Sequence, residues 1–479
     1  MTPTPEQIAI IEAARDTSDN LLISAYAGAA KTTTLELMCK AMPGTPTLSI
    51  AFNKRIAEEM TKRLPGHVRA QTLNSVGHRV WGTAIGKRLV LHSDKLGGIL
   101  KSAIADLPGD EQSEAYDNFG DIIKIINAAR NAGYCPERYE RGICTWEQFY
   151  HSLDDYPPKF FRTLLDEVIH KSIQAAFDGT IDFSDQIYMP TLFGGTFPKF
   201  PLVMVDEAQD LSPLNHVMLA KLVTQRVIAV GDPYQSIYAF RGAVVSGMDR
   251  LRERFNMRDM TLSVSFRCPQ AIVRRAWFRV PDMKWPEWAA EGLVVEHDRI
   301  KLSDIEDGAA IICRHNAPLF HLGFNLIRSG RGVQLIGFDI GPGLVRILRK
   351  LGEESMPRDK VHEAITAWAE AQAKKTRRKA ALEDRVECLR VFADQGPNLG
   401  AAIAYAEHLF RQTGSIQLLS GHKSKGLEWD VVYHLDPWRC GGRRDLSPED
   451  MEQELNIRYV IETRAKKELH IVNMENIDV

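Results

Sequence analysis

Residues 21–38 read LLISAYAGAAKTTTLELM, and this stretch decides the fold. Residues 21–25 are a short, mostly apolar run of the kind that forms a buried strand. A turn of small residues follows, and a helical pattern begins near Lys31 and Thr32. Strand, tight loop and helix start together make a cradle for phosphate oxygens, because loop N–H groups and the helix N-terminus both favour an anion. In such a loop Lys31 would reach the β- and γ-phosphates and Thr32 would hold Mg²⁺. The match to GxxxxGK[ST] is imperfect: Ala25 replaces the first Gly and Ala30 the Gly before the lysine. If position 30 requires a positive φ, alanine there costs about 1–2 kcal/mol. Taken alone, the stretch is equally well an apolar strand and a helix start that happen to contain Lys-Thr.

Working outward, further short apolar runs lie at 47–52, 202–205, 227–230, 309–313, 417–419, 431–434 and 469–472. Helical patterns separate them, as at 32–41 and 54–64. Strands alternating with helices predict an α/β fold with parallel sheets. The strands fall in two clusters, before and after roughly residue 260. Two mainly helical stretches, 82–181 and 341–412, interrupt the alternation and read as insertions.

PLVMVDEAQD (201–210) is an apolar strand ending in adjacent carboxylates. In a phosphate-loop enzyme, an Asp at such a strand end completes the Mg²⁺ shell and the next Glu polarises the attacking water. Asp206 and Glu207 fit these roles, although an acidic pair at a helix N-terminus is the plainer alternative. VGDPYQSIYAFRGA (230–243) follows another apolar strand. Gln235 is placed to touch a γ-phosphate. Tyr238, Phe240 and Arg241 suit stacking on unpaired bases beside a cation, unless the aromatics are core residues.

Composition sets bounds on these readings. The chain has 479 residues, 44% hydrophobic and 25% charged, as expected of a globular protein with about three domains. Lys+Arg total 60 against Asp+Glu 62, which excludes a polycationic, tail-driven nucleic-acid binder but permits a local basic strip. Seven scattered cysteines with no CxxC pair give no support to a zinc site or disulfide framework. The N-terminus lacks the features of a secretory signal, and no apolar run has membrane-spanning length. The expectation is a protein that is neither secreted nor membrane-bound. It would be cytoplasmic in a bacterial or phage-infected cell, or nuclear in a eukaryote.

The ordered motifs resemble those of superfamily 1 DNA helicases of the UvrD/Rep type. PEQ resembles the Q motif, AYAGAAKT the Walker A loop and AFNKRIAEEM (51–60) motif Ia. QTLNSVGH (71–78) resembles the TFHSLG segment with Asn74 for the usual His, and IDFSDQIYMP (181–190) a DFDDLL-type motif. DEAQD resembles motif II and GDPYQSIYAFRGA motif III. LSVSFRCP (262–269) resembles motif IV and AIICRHN (310–316) the AVLxRxN segment. SGHKSKGLEWDVV (420–432) resembles motif V and YVIETRAKKEL (459–469) motif VI.

The resemblance implies two RecA-like domains with ATP in a cleft between them. The first would comprise 1–81 and 182–260, with a helical insert at 82–181. The second would comprise 261–340 and 413–479, with a small insert at 341–412, shorter than in larger members. Lys31, Asp206, Glu207, Gln235, Arg267 and Arg464 would be catalytic, with Arg464 as an arginine finger. Nucleotide would be held by Gln7, Ala27, Gly28, Ala29, Ala30, Lys31, Thr32, Thr33, Phe266 and Glu428, and Mg²⁺ by Thr32 and Asp206. DNA would meet Phe52, Asn53, Thr72, Asn74, Tyr238, Phe240, Arg241, His422 and Lys423. The implied function is an ATP- and Mg²⁺-dependent DNA helicase or translocase. It would move 3′ to 5′ on single-stranded DNA and at single-strand/duplex junctions, as a monomer. The alternative, motivated by Ala25 and Ala30, is a weak phosphate-loop protein that binds DNA or a partner without unwinding. The basic run Lys374, Lys375, Arg377, Arg378 and Lys379 is either a grip on duplex phosphates or a solvated helix face. Trp285 and Trp288 are expected to pack internally.

Overall fold

The structure is a computed structural model that describes residues 2–153, 160–237, 247–337, 340–373, 379–442 and 446–478. These residues form two compact units. The first holds residues up to Ser263 apart from 27–29, and the second holds 27–29 and everything from Val264 onward.

The first unit is built on a six-stranded sheet. Its strands are β1 (Leu21–Ala25), β2 (Thr47–Ile50), β3 (Val68–Gln71), β4 (Phe200–Val205), β5 (Val223–Gly231) and β6 (Arg258–Leu262). Their spatial order is β3-β2-β4-β5-β1-β6, and every neighbouring pair is parallel. The central strands are near-continuous apolar runs because helices cover both faces. Leu22, Leu48, Val203, Val205 and Ala229 are fully or almost fully buried. Pro201 lies inside β4, and the ladder shifts register there, which accommodates a residue with no N–H to donate.

The helices used below are α1 (Pro5–Asp16), α2 (Lys31–Ala41), α3 (Leu73–Ile85), α4 (Pro213–Leu222) and α5 (Gly247–Phe255). Between α3 and β4 the chain makes a helical excursion that includes Lys95–Ala105, Phe119–Ala132 and Phe161–Phe177. Its apolar faces join the sheet in one continuous core, with Leu100, Ile126, Phe161 and Leu165 packed in the same cluster as Leu22 and Val203. Trp81 of α3 is buried and donates its indole N–H to the Ala176 carbonyl at 3.0 Å.

A four-charge network lies within this core. Arg130 donates to both oxygens of Asp182 at 2.8 and 2.9 Å and to Asp185 at 2.5 Å. Lys95 donates to Asp185 at 2.6 Å and to the Ser172 carbonyl at 2.7 Å. The backbone N–H groups of Asp182 and Asp185 each donate to the other's carboxylate at 2.8 Å. Burial would raise the Asp182 carboxyl, but Arg130 outweighs it and holds the group at about 2. The IDFSD segment thereby fastens the helical excursion to the sheet. Its partners Lys95 and Arg130 carry no sequence motif and were not anticipated.

The second unit repeats the plan. Its strands are β7 (Leu293–His297), β8 (Ala310–Cys313), β9 (Val333–Leu335), β10 (Ile416–Ser420), β11 (Trp429–Leu435) and β12 (Ala465–Val472). They run parallel in the order β9-β10-β8-β11-β12-β7. Among the described residues, four helices, Gly341–Leu351, Arg358–Ala373, Lys379–Ala393 and Leu399–Phe410, interrupt the alternation between β9 and β10. Phe320, Phe392 and Phe410 pack together in its core, the first two stacked at 5.2 Å. Helix α6 (Pro448–Glu462) leads into β12. The expected α/β class with parallel sheets is what the chain adopts.

All seven cysteines are free thiols. Among the described residues no helix is long and apolar enough to cross a membrane.

Candidate functional site

In a parallel sheet the carboxyl ends of the strands are where ligands bind. In the first unit that edge gathers most of the residues singled out from sequence. Lys31 follows β1, Asp206 and Glu207 follow β4, and Asp232 and Gln235 follow β5. These three strands are adjacent.

The loop after β1 ends at Ala30, which has φ 54° and ψ 43°. This is the left-handed region that an L-residue with a Cβ adopts at a cost. Gly28 also has a positive φ, 76°. Ala30 is the N-cap of α2 and provides no side-chain cap, so the first N–H groups of α2 are not claimed by a capping side chain. Ala27 and Ala29 are buried, and Thr33 is exposed on the first turn of α2.

Lys31 Nζ lies 3.3 Å from Glu207 Oε2. Burial works to lower the ammonium's pKa, but Glu207, Asp232 and Asp206 together leave it above the ordinary lysine value. It therefore stays charged. Asp206 is 5% exposed. Burial first, then the neighbouring Glu207 charge, push its carboxyl up to about 6, against the pull of Lys31 and the hydrogen bonds from the Glu207 N–H and Thr32. Thr32 Oγ1 donates to Asp206 at 3.4 Å and the Glu207 N–H at 2.9 Å. Glu207 itself sits at φ 52°, a second strained non-glycine residue. Burial likewise raises the Asp232 carboxyl, which accepts from Gln235 at 2.7 Å.

Gln209 ties the two strand ends together. Its side chain donates to Glu207 at 2.6 Å and accepts from the Asp232 N–H at 3.0 Å. Sequence reasoning quoted Gln209 and Asp232 within motifs but gave them no role; their burial depends on the fold. Three carboxylates thus face one ammonium. The surplus of hard oxygen donors, with the Thr32 hydroxyl beside Asp206, fits a small divalent cation.

Gln7 lies on α1 and is engaged at both ends of its amide. Its oxygen accepts from the Thr4 N–H in a capping box at 3.0 Å, and its nitrogen donates to Thr34 Oγ1 at 2.9 Å. Tyr26 and Tyr234 rings lie 5.8 Å apart beside the loop.

Two further strand ends of the first unit, those of β2 and β3, carry residues expected to contact DNA. Phe52 is 54% exposed just past β2. Asn53 caps the next helix, accepting from the Ile56 N–H at 2.9 Å, and Thr72 caps α3, accepting from Ser75 at 3.1 Å. Asn74 donates to the Phe183 carbonyl at 2.8 Å, so it joins α3 to the IDFSD turn. Tyr238, Phe240 and Arg241 lie outside the described residues, as do Lys374, Lys375, Arg377 and Arg378.

In the second unit Arg267 Nε pairs with Glu428 at 2.6 Å. Phe266 faces Trp288 with ring centroids 6.2 Å apart. Trp288 is 64% exposed, which corrects the expectation that it packs internally: it covers Phe266 from the solvent side. Trp285 does pack, stacked on Trp277 at 5.9 Å. Arg464 is buried between α6 and β12, with Nε on the Val460 carbonyl at 2.9 Å. His422 and Lys423 follow β10 in a one-turn helix. Two residues before Arg464, the buried Glu462 accepts from Arg458 at 2.9 Å and lies 3.3 Å from both Arg275 and the buried His434.

Comparison with known proteins gives concordant matches. Residues 4–256 match the UvrD/REP helicase N-terminal domain, and residues 354–476 match the UvrD-like helicase C-terminal domain. The chain is 23% identical to F-box DNA helicase protein 1 of Schizosaccharomyces pombe, over 97% of this chain and 57% of that protein. It is 24% identical to F-box DNA helicase 1 of Gallus gallus, over 97% of this chain and 48% of that protein. It is also 24% identical to a probable DNA helicase II homolog of Mycoplasma genitalium, over 47% of this chain and 35% of that protein. The chain thus spans about half the length of the curated relatives it matches from end to end.

Proposed function

The chain belongs to the UvrD/REP helicase family, and from that premise we propose that it is an ATP-driven motor on single-stranded DNA, moving 3′ to 5′. The reading rests above all on one observation: Lys31, Asp206, Glu207 and Asp232 converge at adjacent strand ends, beside the strand ends that carry Phe52 and Thr72.

Lys31 and the uncapped N–H groups of α2 would bind the phosphates of ATP. Asp206 and Thr32 would hold Mg²⁺, which supplies charge neutralisation on the phosphate oxygens when bound. Glu207 would orient and deprotonate the attacking water. In the arrangement described, Lys31 also acts as counter-ion to Glu207. Turning the ammonium toward phosphate would withdraw that positive charge and make Glu207 a stronger base. Gln235, held by Asp232, would report the state of the γ-phosphate. Arg267 and Arg464 are proposed as further cations for the transferring phosphoryl group, with Phe266 and Glu428 on the nucleoside. Phe52, exposed on a strand end, offers a stacking face that does not discriminate among bases.

The domain assignment follows the same reading. We take 1–81 with 182–260, and 261–340 with 413–479, as two RecA-like domains carrying helical inserts. The protein would act as a monomer on single strands and on single-strand/duplex junctions.

The deciding experiment measures ATP hydrolysis with and without single-stranded DNA, then unwinding of tailed duplexes of both polarities. Strong DNA stimulation is expected, lost in Lys31→Ala and Glu207→Gln, with unwinding from a 3′ tail. Nucleotide binding without turnover on any DNA would instead support the non-motor alternative that Ala30 suggests.

A further inference from the structure

Away from the nucleotide site, α4 and α5 border an open cleft of about 640 Å³ in the first unit. Pro213, His216 and Val217 line it from α4, Arg250, Glu253 and Arg254 from α5, and Ile143 from the helical excursion. None of these residues has a role in the mechanism above.

The two arginines are exposed and stand four residues apart on one face of α5. Like charges at this spacing repel. Among the described residues neither carries an ion pair or a side-chain hydrogen bond, and Glu253 between them takes neither. Beneath them His216 is 3% exposed, and its Nε2 has no hydrogen-bond partner. Burial, then Arg254 and Arg250, push the imidazole down to about 4, so the ring is neutral. A buried polar atom left unsatisfied costs stability unless something completes it. Pro213 is the first residue of the ten-residue α4, whose N-terminal end adds positive potential. Two unpaired guanidiniums, an unsatisfied ring and a helix N-terminus all favour the same visitor, an oxyanion with several acceptor oxygens.

We propose that this cleft binds a phosphate group, held by Arg250 and Arg254 over the His216 ring at the start of α4. Free phosphate and a phosphodiester of nucleic acid present the same chemistry there. Glu253 opposes the anion and limits its affinity. The site is distinct from the Lys31 loop and does not depend on the motor assignment.

The test uses the full chain carrying Lys31→Ala, which removes the competing phosphate loop. Histidine-labelled protein is titrated at constant ionic strength with inorganic phosphate in one arm and with an unphosphorylated oligothymidine in the other. The His216 signal is assigned by its loss in His216→Gln. A saturable shift of that signal is expected in at least one arm, and which arm responds identifies the source. Arg250→Gln with Arg254→Gln should weaken the response by about tenfold or more. Glu253→Gln should tighten it several-fold. These substitutions are at exposed positions, and an unchanged thermal unfolding midpoint checks that the fold is intact. The proposal is overturned if neither arm gives a saturable shift, if chloride alone reproduces it, or if it survives the double arginine substitution.

Discussion

Replacing Ala30 with glycine should make the protein more stable. Ala30 holds φ 54° and ψ 43° at the end of the loop that precedes α2. An L-residue with a Cβ in that region costs about 1–2 kcal/mol, and glycine removes the cost. Glycine also gains freedom in the unfolded chain, which returns about 0.4–1 kcal/mol. The difference is a net stabilisation of about 1 kcal/mol. For a unit of this size that corresponds to a rise in Tm of about 2–4 °C. The converse substitution is Gly28→Ala, where φ is 76° and an added Cβ would also come within 2.5 Å of Arg267 Cβ and 2.7 Å of Ser265 Oγ, so steric crowding adds to the backbone cost. That substitution should destabilise by about 1 kcal/mol or more. Both are measured by urea and thermal unfolding without nucleotide. The reasoning fails if Ala30→Gly lowers stability or if Gly28→Ala is neutral, since either result means the backbone does not hold these conformations.

Three further outcomes are expected. Burial and Glu207 raise Asp206 to about 6, so the folded protein binds a proton there more tightly than the unfolded chain, and this contribution to stability is lost as pH rises from about 4 through 6. Asp206→Asn should accordingly be more stable than the parent at pH 8, on the order of 2 kcal/mol, with the gap closing toward pH 4, while ATP hydrolysis is abolished. Removing Arg130 from the buried network by Arg130→Met strands the Asp182 carboxylate and leaves Asp185 with Lys95 alone, and should destabilise by about 3–5 kcal/mol in urea unfolding; a loss under 1 kcal/mol would show that the network is not closed to water. Finally, Glu207→Gln should retain nucleotide binding but lose DNA-stimulated turnover by a large factor in a steady-state ATPase assay; retained turnover would remove Glu207 from the role of base.

The central strands were legible from sequence and the edges were not. The runs at 21–25, 202–205, 227–230, 309–313, 417–419 and 431–434 all lie in interior strands, where most residues on both faces are buried and most are apolar. Within the two six-stranded sheets, the four strands without a clear signal, β3, β6, β7 and β9, are the four edges. Each is partly solvated, so residues such as Arg69, Asp259 and Glu296 interrupt the apolar pattern. The site shows the same contrast. Residues proposed to meet a ligand through a fixed local motif, such as Lys31 and Asp206, could be read from order and spacing. Residues whose function is to hold others in place could not. Gln209 links β4 to β5, Asn74 reaches the IDFSD turn, and Lys95 and Arg130 neutralise carboxylates 52 to 90 positions away. Such partnerships exist only once the chain is folded.

The order of the first sheet has a mechanical consequence. The Asp206 N–H donates to the Ile50 carbonyl at 3.1 Å, and the Ala51 N–H donates to the Gln71 carbonyl at 2.9 Å. One strand spacing, about 4.8 Å, therefore separates the acidic pair from the segment that presents Phe52, and a second separates that segment from Thr72. Amide-to-carbonyl links of this kind are stiff and short. A displacement at the acidic pair need not travel through a long relay of side chains to be felt at Phe52. It would pass laterally, strand to strand, across one rung to Phe52 and two to Thr72.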